Sequence, residues 1–347
     1  MVVVTAVRIP AAARVLAWAT PKLVVEEVEP AGVPASVYRL GRDRPRPALV
    51  FLNGVTARGR HHPDVRRLAE ALARAGFLVA VPDPPGLADG RLAGETLDST
   101  VSAIRAVADR PDALGGRVCL LGVSIGATLA LLAAEDEELA RRVTVVAGIA
   151  PYPDFLNAAR LATTGHALEE GKLVRFRPPG FLGLVTARSL VGALPPSASR
   201  RALLDELERV PDDADDPLAC FRSPDREPED AAARAVVAFL GNRDPERFDE
   251  LYGGLPAELR AGIAQLSPVE RAAALRAPVE IAVARNDKYL PPAEVQALAE
   301  AATGTTVRLT VTSTLSHADL RLRWQEVRDF LAFYGWVVRT IMAAGRP

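Results

Sequence analysis

Arg117-Val118-Cys119-Leu120-Leu121-Gly122-Val123-Ser124-Ile125-Gly126 is the stretch on which the fold of this 347-residue chain turns. A continuous apolar run stops at Gly122, and Ala127-Thr128-Leu129-Ala130-Leu131-Leu132-Ala133-Ala134 follows with the composition of a buried helix. The pattern predicts a strand, an abrupt turn and a helix. A serine at such a turn is forced into a strained backbone conformation, tolerable only if the residues two positions away carry no side chain. The strain lifts its hydroxyl above the sheet edge, and the next helix N-terminus points amide N–H groups at anything bound there. Ser124 is therefore the candidate nucleophile.

Working outward, the same rhythm repeats. Lys22 to Glu29 and Ser36 to Leu40 alternate loosely around Pro30-Ala31-Gly32, as two antiparallel edge strands would. Ala48 to Leu52, Phe77 to Val81 and Val143 to Ala150 are buried-strand runs. Helical spacing separates them over Pro63 to Ala75 and Thr96 to Ala108. The rhythm breaks at Pro151. From about Phe155 to Leu275 the chain reads as helices, Pro-rich joints and an acidic stretch, with no convincing strand. It resumes with the strand Val279 to Ala284, the helix Pro292 to Ala301, the strand Val307 to Val311 and a last helix from about Leu320. The expected fold class is α/β, a mostly parallel sheet with helices on both faces. Residues 1–21 read as an extension, 22–154 with 276–347 as the sheet domain, and 155–275 as a helical insertion.

A serine needs a base, and the base needs an orienting group. Four histidines are available: His61, His62, His166 and His317. Residues just past the C-terminal ends of parallel strands collect on one edge, where ligands bind. Ser124 and His317 both meet that condition, so His317 is the candidate base. Asp287, in the loop after Val279 to Ala284, is the candidate acid, and Asp154 after the preceding strand competes with it. The oxyanion would be met by the amide of Ile125 and by one from the loop Asn53-Gly54-Val55-Thr56. Val55 is the first choice there, with Thr56 behind it.

Hydrophobic content of 49% supplies a substantial core, and a net charge of −1 with 42 basic and 43 acidic residues offers nucleic acid no surface. The two cysteines, Cys119 and Cys220, require no disulfide framework. Asp212, Asp213, Asp215 and Asp216 cluster without the turn glycine or distal glutamate of a calcium loop, and read as solvated surface. No cofactor and no metal are expected. The apolar stretches Val2-Val3-Val4, Val15 to Trp18 and Phe330 to Val338 are too short or interrupted to span a bilayer. A cytoplasmic protein without stable membrane insertion is expected; peripheral association and oligomeric state stay open.

With these residues assembled, the chain resembles the α/β-hydrolase family, in its serine esterase and peptidase branch with a helical cap. The matching motifs are Gly122 to Gly126, Asn53-Gly54 where many members have His-Gly, Asp83 to Gly86, Asp287 with Pro291 beyond it, and His317. Asn53 itself and Ala284-Arg285 before the acid depart from the common pattern. The resemblance implies a Ser124–His317–Asp287 triad acting on a small-molecule ester, with residues 155–275 as the cap. A peptidase, amidase or acyltransferase would use the same triad, and a non-catalytic binding protein could keep the fold. Phe155, Leu156, Phe181, Leu182, Leu184 and Val185 read as core of the insertion more than as substrate contacts.

Overall fold

A computed structural model describes residues 22–41, 44–169, 171–223, 228–317, 319–320 and 327–345. The extension 1–21 lies outside the described residues.

The first edge is antiparallel: β1 (Leu23–Val28) pairs with β2 (Ala35–Leu40). Then come β3 (Arg46–Leu52), helix α1 (Pro63–Arg74), β4 (Leu78–Pro82), α2 (Gly94–Ala108), β5 (Ala113–Val123), α3 (Ile125–Ala134) and β6 (Val143–Ile149). The chain next makes α4 (Phe155–Thr164), the short strands β7 (His166–Glu169) and β8 (Lys172–Arg175), α5 (Gly180–Gly192), α6 (Ala198–Glu208), α7 (Ala231–Gly241), α8 (Phe248–Gly253), α9 (Ala257–Gln265) and α10 (Pro268–Arg271). It returns through β9 (Val279–Ala284), α11 (Ala293–Ala301), β10 (Val307–Thr312), β11 (Leu315–Ser316), β12 (Asp319–Leu320) and α12 (Val327–Ala344).

The main sheet runs β1-β2-β4-β3-β5-β6-β9-β10, and from β4 to β10 every neighbouring pair is parallel. Side chains alternate along the central strands. Val50, Leu52 and Leu120 face a core shared with α2, α3 and α11, while Leu49, Phe51 and Cys119 face one shared with α1 and α12. Both faces are thus covered, which explains why the central strands read as continuous apolar runs. Glu280 is the exception: buried in β9, its carboxylate accepts from Arg339 of α12 at 3.0 and 2.9 Å. No described helix is long and apolar enough to cross a membrane.

β4 lies on one side of β3 and β5 on the other, so the winding direction reverses at β3. That reversal opens a crevice above the C-terminal ends of β3 and β5, the usual ligand position in such sheets. The connection from β6 to β9 covers the same edge. Its exit and return are tied together, since Val269 N–H donates to the Pro153 carbonyl at 3.0 Å. Beside that tie, the Phe155 amide donates to the Ser267 hydroxyl at 2.9 Å.

Two expectations need correction. The connection does contain strands, β7 and β8, paired in an antiparallel ribbon. Each has four residues, and Leu168, Leu173 and Val174 stand 40–42% exposed, so there is too little apolar alternation to read. Leu320 belongs to β12 rather than to the last helix, which is described over Val327–Ala344. Asp212 and Asp216 are engaged by arginines: Asp212 by Arg188, and Asp216 by Arg222 and Arg243.

Candidate active site

Ser124 sits between β5 and α3 at φ 53°, ψ −126°, outside the regions that side-chain-bearing residues favour. Its neighbours make this possible. A Cβ on Gly122 would lie 2.3 Å from the Ala127 Cα, and one on Gly126 would lie 2.1 Å from the Leu52 carbonyl oxygen. Neither position admits any other residue without moving backbone. The Ser124 carbonyl accepts from the Ala127 and Thr128 amides, and its own N–H donates to the Ile149 carbonyl at 2.7 Å. The turn is thereby fixed to both α3 and β6.

His317 stands at the tip of the β11–β12 ribbon, between the paired Ser316 and Asp319, also with positive φ (55°). Its Nε2 is 3.1 Å from Ser124 Oγ, and its Nδ1 is 3.1 and 3.0 Å from the two Asp287 oxygens. With the proton on Nδ1, the ring donates to Asp287 and accepts from the serine hydroxyl. Asp287 is 8% exposed, and its Oδ1 also accepts from the Tyr289 amide at 2.8 Å, which fixes the carboxylate in its loop. The structure therefore brings Ser124, His317 and Asp287 together from three strand ends. It does not bring Asp154 to them: that carboxylate caps α4, accepting from the Leu156 and Asn157 amides. Burial pushes the Asp154 carboxyl above its ordinary range.

Val55 and Ile125 both border the cavity beside Ser124. Neither amide meets an acceptor among the described residues. Thr56 is turned to its own loop, its carbonyl accepting from Gly59 N–H at 2.9 Å. Sequence reasoning missed Tyr289 and the contact that Asn53 makes. The Tyr289 ring packs on the His317 imidazole at 4.3 Å between centroids, tilted 40°. Asn53, 2% exposed, donates from Nδ2 to the Gly54 carbonyl at 2.8 Å. Tyr289 lies two residues past the acid, which is a signal only once Asp287 is known to reach His317.

The cavity over Ser124 holds about 190 Å³. Its other walls come from α4 and α5, including Phe155, Ala158, Phe181, Leu182 and Val185. Phe155, Phe181, Leu182 and Val185, read from sequence as core, are thus cavity walls, whereas Leu184 is fully buried core. The described lining carries no carboxylate, ammonium or guanidinium group.

The sheet order, the strained serine turn and the cleft above it define an α/β hydrolase. The model of the alpha/beta hydrolase family matches residues 49–330, and the chain belongs to that family. Among solved structures it is similar to DcsB, described in complex with its substrate analogue, at TM-score 0.52 and 16% identity, covering 92% of this chain and 100% of that one. It is also similar to esterase B from Lactobacillus rhamnosis (TM-score 0.52, 15% identity, 96% and 92% covered). A third is the Pyrococcus horikoshii acylaminoacyl peptidase (TM-score 0.50, 13% identity), of which the matched region is 38% and of this chain 86%. These likenesses carry the fold. No curated protein matches the sequence.

Proposed function

We propose that this hydrolase cleaves small, uncharged carboxylic esters, with Ser124 as nucleophile, His317 as general base and acid, and Asp287 as the group that orients His317. The observation carrying the proposal is the continuous contact from Asp287 through His317 Nδ1 and Nε2 to Ser124 Oγ, at 3.0 and 3.1 Å. Ser124 Oγ attacks the acyl carbon while Nε2 takes its proton, and Asp287 stabilises the imidazolium. The carbonyl oxygen becomes an oxyanion facing the Val55 and Ile125 amides. Nε2 then protonates the departing alkoxide, which leaves as the alcohol. Water, deprotonated by the same imidazole, attacks the acyl-enzyme and releases the acid with Ser124 restored. Every step balances with water alone.

The walls supply the choice of substrate. An uncharged lining leaves a free amino or carboxyl terminus without a partner, at a desolvation cost of several kcal/mol. That favours neutral esters over terminal aminoacyl peptides. About 190 Å³ is below the roughly 300–1,000 Å³ of sites for drug-sized ligands, which favours short chains. In this reading the connection 155–275 acts as the cap, closing the cavity with α4 and α5. Hydrolysis of p-nitrophenyl esters, compared with aminoacyl p-nitroanilides, tests it. Butyrate is expected to outperform the anilides, and Ser124→Ala to lower turnover by about 10⁴-fold or more while melting normally. Retained turnover in that variant refutes the mechanism, and dominant anilide cleavage refutes the substrate class.

A further inference from the structure

The loop after β3 has to hold one backbone N–H in place without belonging to any helix or strand. Between Leu52 and α1 the chain runs through turns and a single 3-10 turn at Gly59–His61, with Val55 near their start. A loop amide left to fluctuate by an ångström would lose much of its hold on an oxyanion, because donors act at about 2.7–3.1 Å. Two part-buried contacts restrain this one.

The first is Asn53. Its Nδ2 donates to the Gly54 carbonyl at 2.8 Å. In a trans peptide the C=O of one residue and the N–H of the next point in opposite directions. Holding the Gly54 oxygen on the Asn53 side therefore turns the Val55 N–H to the other side of the same plane. The peptide has little room to slide: a Cβ on Gly54 would lie 3.3 Å from the Val123 carbonyl oxygen and 3.5 Å from the Ser124 Cβ. The Asn53 carbonyl in turn packs on the start of α3, since a Cβ on Gly126 would come within 2.4 Å of it. Among the described residues Asn53 Oδ1 is buried without a hydrogen-bond partner, so the bond to Gly54 is what the side chain contributes there.

The second contact is Asp83, just past β4, in a motif the chemistry above leaves unused. Its carboxylate accepts from the Arg60 backbone amide at 2.8 Å and from the Arg60 guanidinium at 2.5 Å. It also packs against Gly59, whose φ is +47° and whose added Cβ would lie 2.5 Å from Asp83 Oδ1. The loop is thus held at both ends, by an amide at 53 and a carboxylate at 83.

We infer that Asn53 is a positioning residue that aims the Val55 N–H at the substrate carbonyl oxygen, with Asp83 anchoring the far end of the same loop. The inference rests on the esterase reading above. It reaches the reaction only through the backbone, so neither side chain is a catalytic residue.

Asn53→Asp is the sharpest probe, being the same size but placing an oxygen where the donor was. Rates are expressed per Ser124 labelled to completion by a fluorophosphonate, so that misfolded protein drops out. For p-nitrophenyl butyrate, kcat is expected to fall about 30–300-fold with KM within threefold, as for loss of one oxyanion donor. Asn53→Ala should behave likewise, and Asp83→Ala should lose about 5–30-fold by loosening the loop. Arg60→Ala, which keeps the backbone amide, should lose less than fivefold. The decisive readout is the preference for the ester over its thiono (C=S) analogue. An aimed N–H favours oxygen, so the preference should shrink in the Asn53 variants, and a purely structural role would leave it unchanged. Kcat losses under threefold, losses confined to KM, or an unchanged oxygen preference overturn the inference. Failure of all three position-53 and position-83 variants to give labelled protein also overturns it, by assigning both side chains to folding. Ser124→Ala run in parallel separates the two readings: if it is inactive while the Asn53 variants are unaffected, only this inference falls.

Discussion

The turn at 122–126 and the ribbon at 166–175 are both chain reversals over the same edge of the sheet, and they are specified in opposite ways. At the first, added Cβ atoms on Gly122 and Gly126 would meet backbone at 2.3 and 2.1 Å. At the second, a Cβ on Gly171 would meet no described atom within 4 Å, so only its φ of +76° favours glycine there, and Leu168 and Leu173, paired across the strands, stand 40% and 42% exposed. Backbone packed against backbone excludes every residue type but one. A ribbon facing solvent excludes few residue types outside its positive-φ turn, and a two-stranded ribbon holds its shape only through neighbours such as the buried Ala167. Steric precision is therefore greater at the Ser124 turn than in the ribbon.

The contrast can be broken by substitution. Gly126→Ala should be the most damaging, costing at least about 3 kcal/mol and the activity with it, because the colliding atom is a carbonyl oxygen of β3. A thermal melt and a butyrate assay would show it, and a near-normal melt would mean the turn is softer than its contacts imply. Ala158→Leu adds three carbons to a cavity wall in α4. It should lower kcat/KM for hexanoate and longer esters by about tenfold, roughly 1.4 kcal/mol, and leave acetate nearly unchanged. An equal loss on every chain length would place position 158 away from the acyl group.

The opposite end of α3 gives a smaller and pH-dependent test. Glu135 is 2% exposed, neither carboxylate oxygen has a hydrogen-bond partner among the described residues, and burial pushes its pKa up to about 8. The folded protein thus keeps a proton that the unfolded chain releases near pH 4.5. Native protein binds more protons between those values, so this group's contribution to stability falls as pH rises from about 4.5 to 8 and then levels off. Glu135→Gln should therefore stabilise by at least about 1 kcal/mol more at pH 8.5 than at pH 4.5, read from urea melts at both. A stabilisation independent of pH would remove the ionisation from the explanation. Last and least, Leu173→Ser in the ribbon should change stability by under about 0.5 kcal/mol. A larger loss would show that the ribbon carries packing its exposure hides.

Legibility followed the same physical division. The strands β3, β4, β5, β6 and β9 were readable because burial on both faces demands unbroken apolar runs. The serine turn was readable because sterics confine two flanking positions to glycine. His317 was selected by topology, since parallel strands bring their C-terminal ends to one rim. The ribbon β7–β8 was not readable, having four residues per strand and no buried alternation to mark it. The double duty of Phe155, Phe181 and Val185 as core and cavity wall, and the place of Leu182 in the cavity wall alone, were equally hidden, because core and cavity side chains have the same sequence signature.

By itself, the sequence determined the α/β alternation, the strained position of Ser124 and the short list of groups able to reach it. Those follow from local sterics and periodicity, which act over a few residues. Only the tertiary structure decided that Asp287 meets His317 while Asp154 caps a helix, that Tyr289 packs on the imidazole, and that Asn53 holds the Gly54 carbonyl. Such choices depend on which surfaces come within 3 Å after strands far apart in the chain have paired, and no local pattern encodes that.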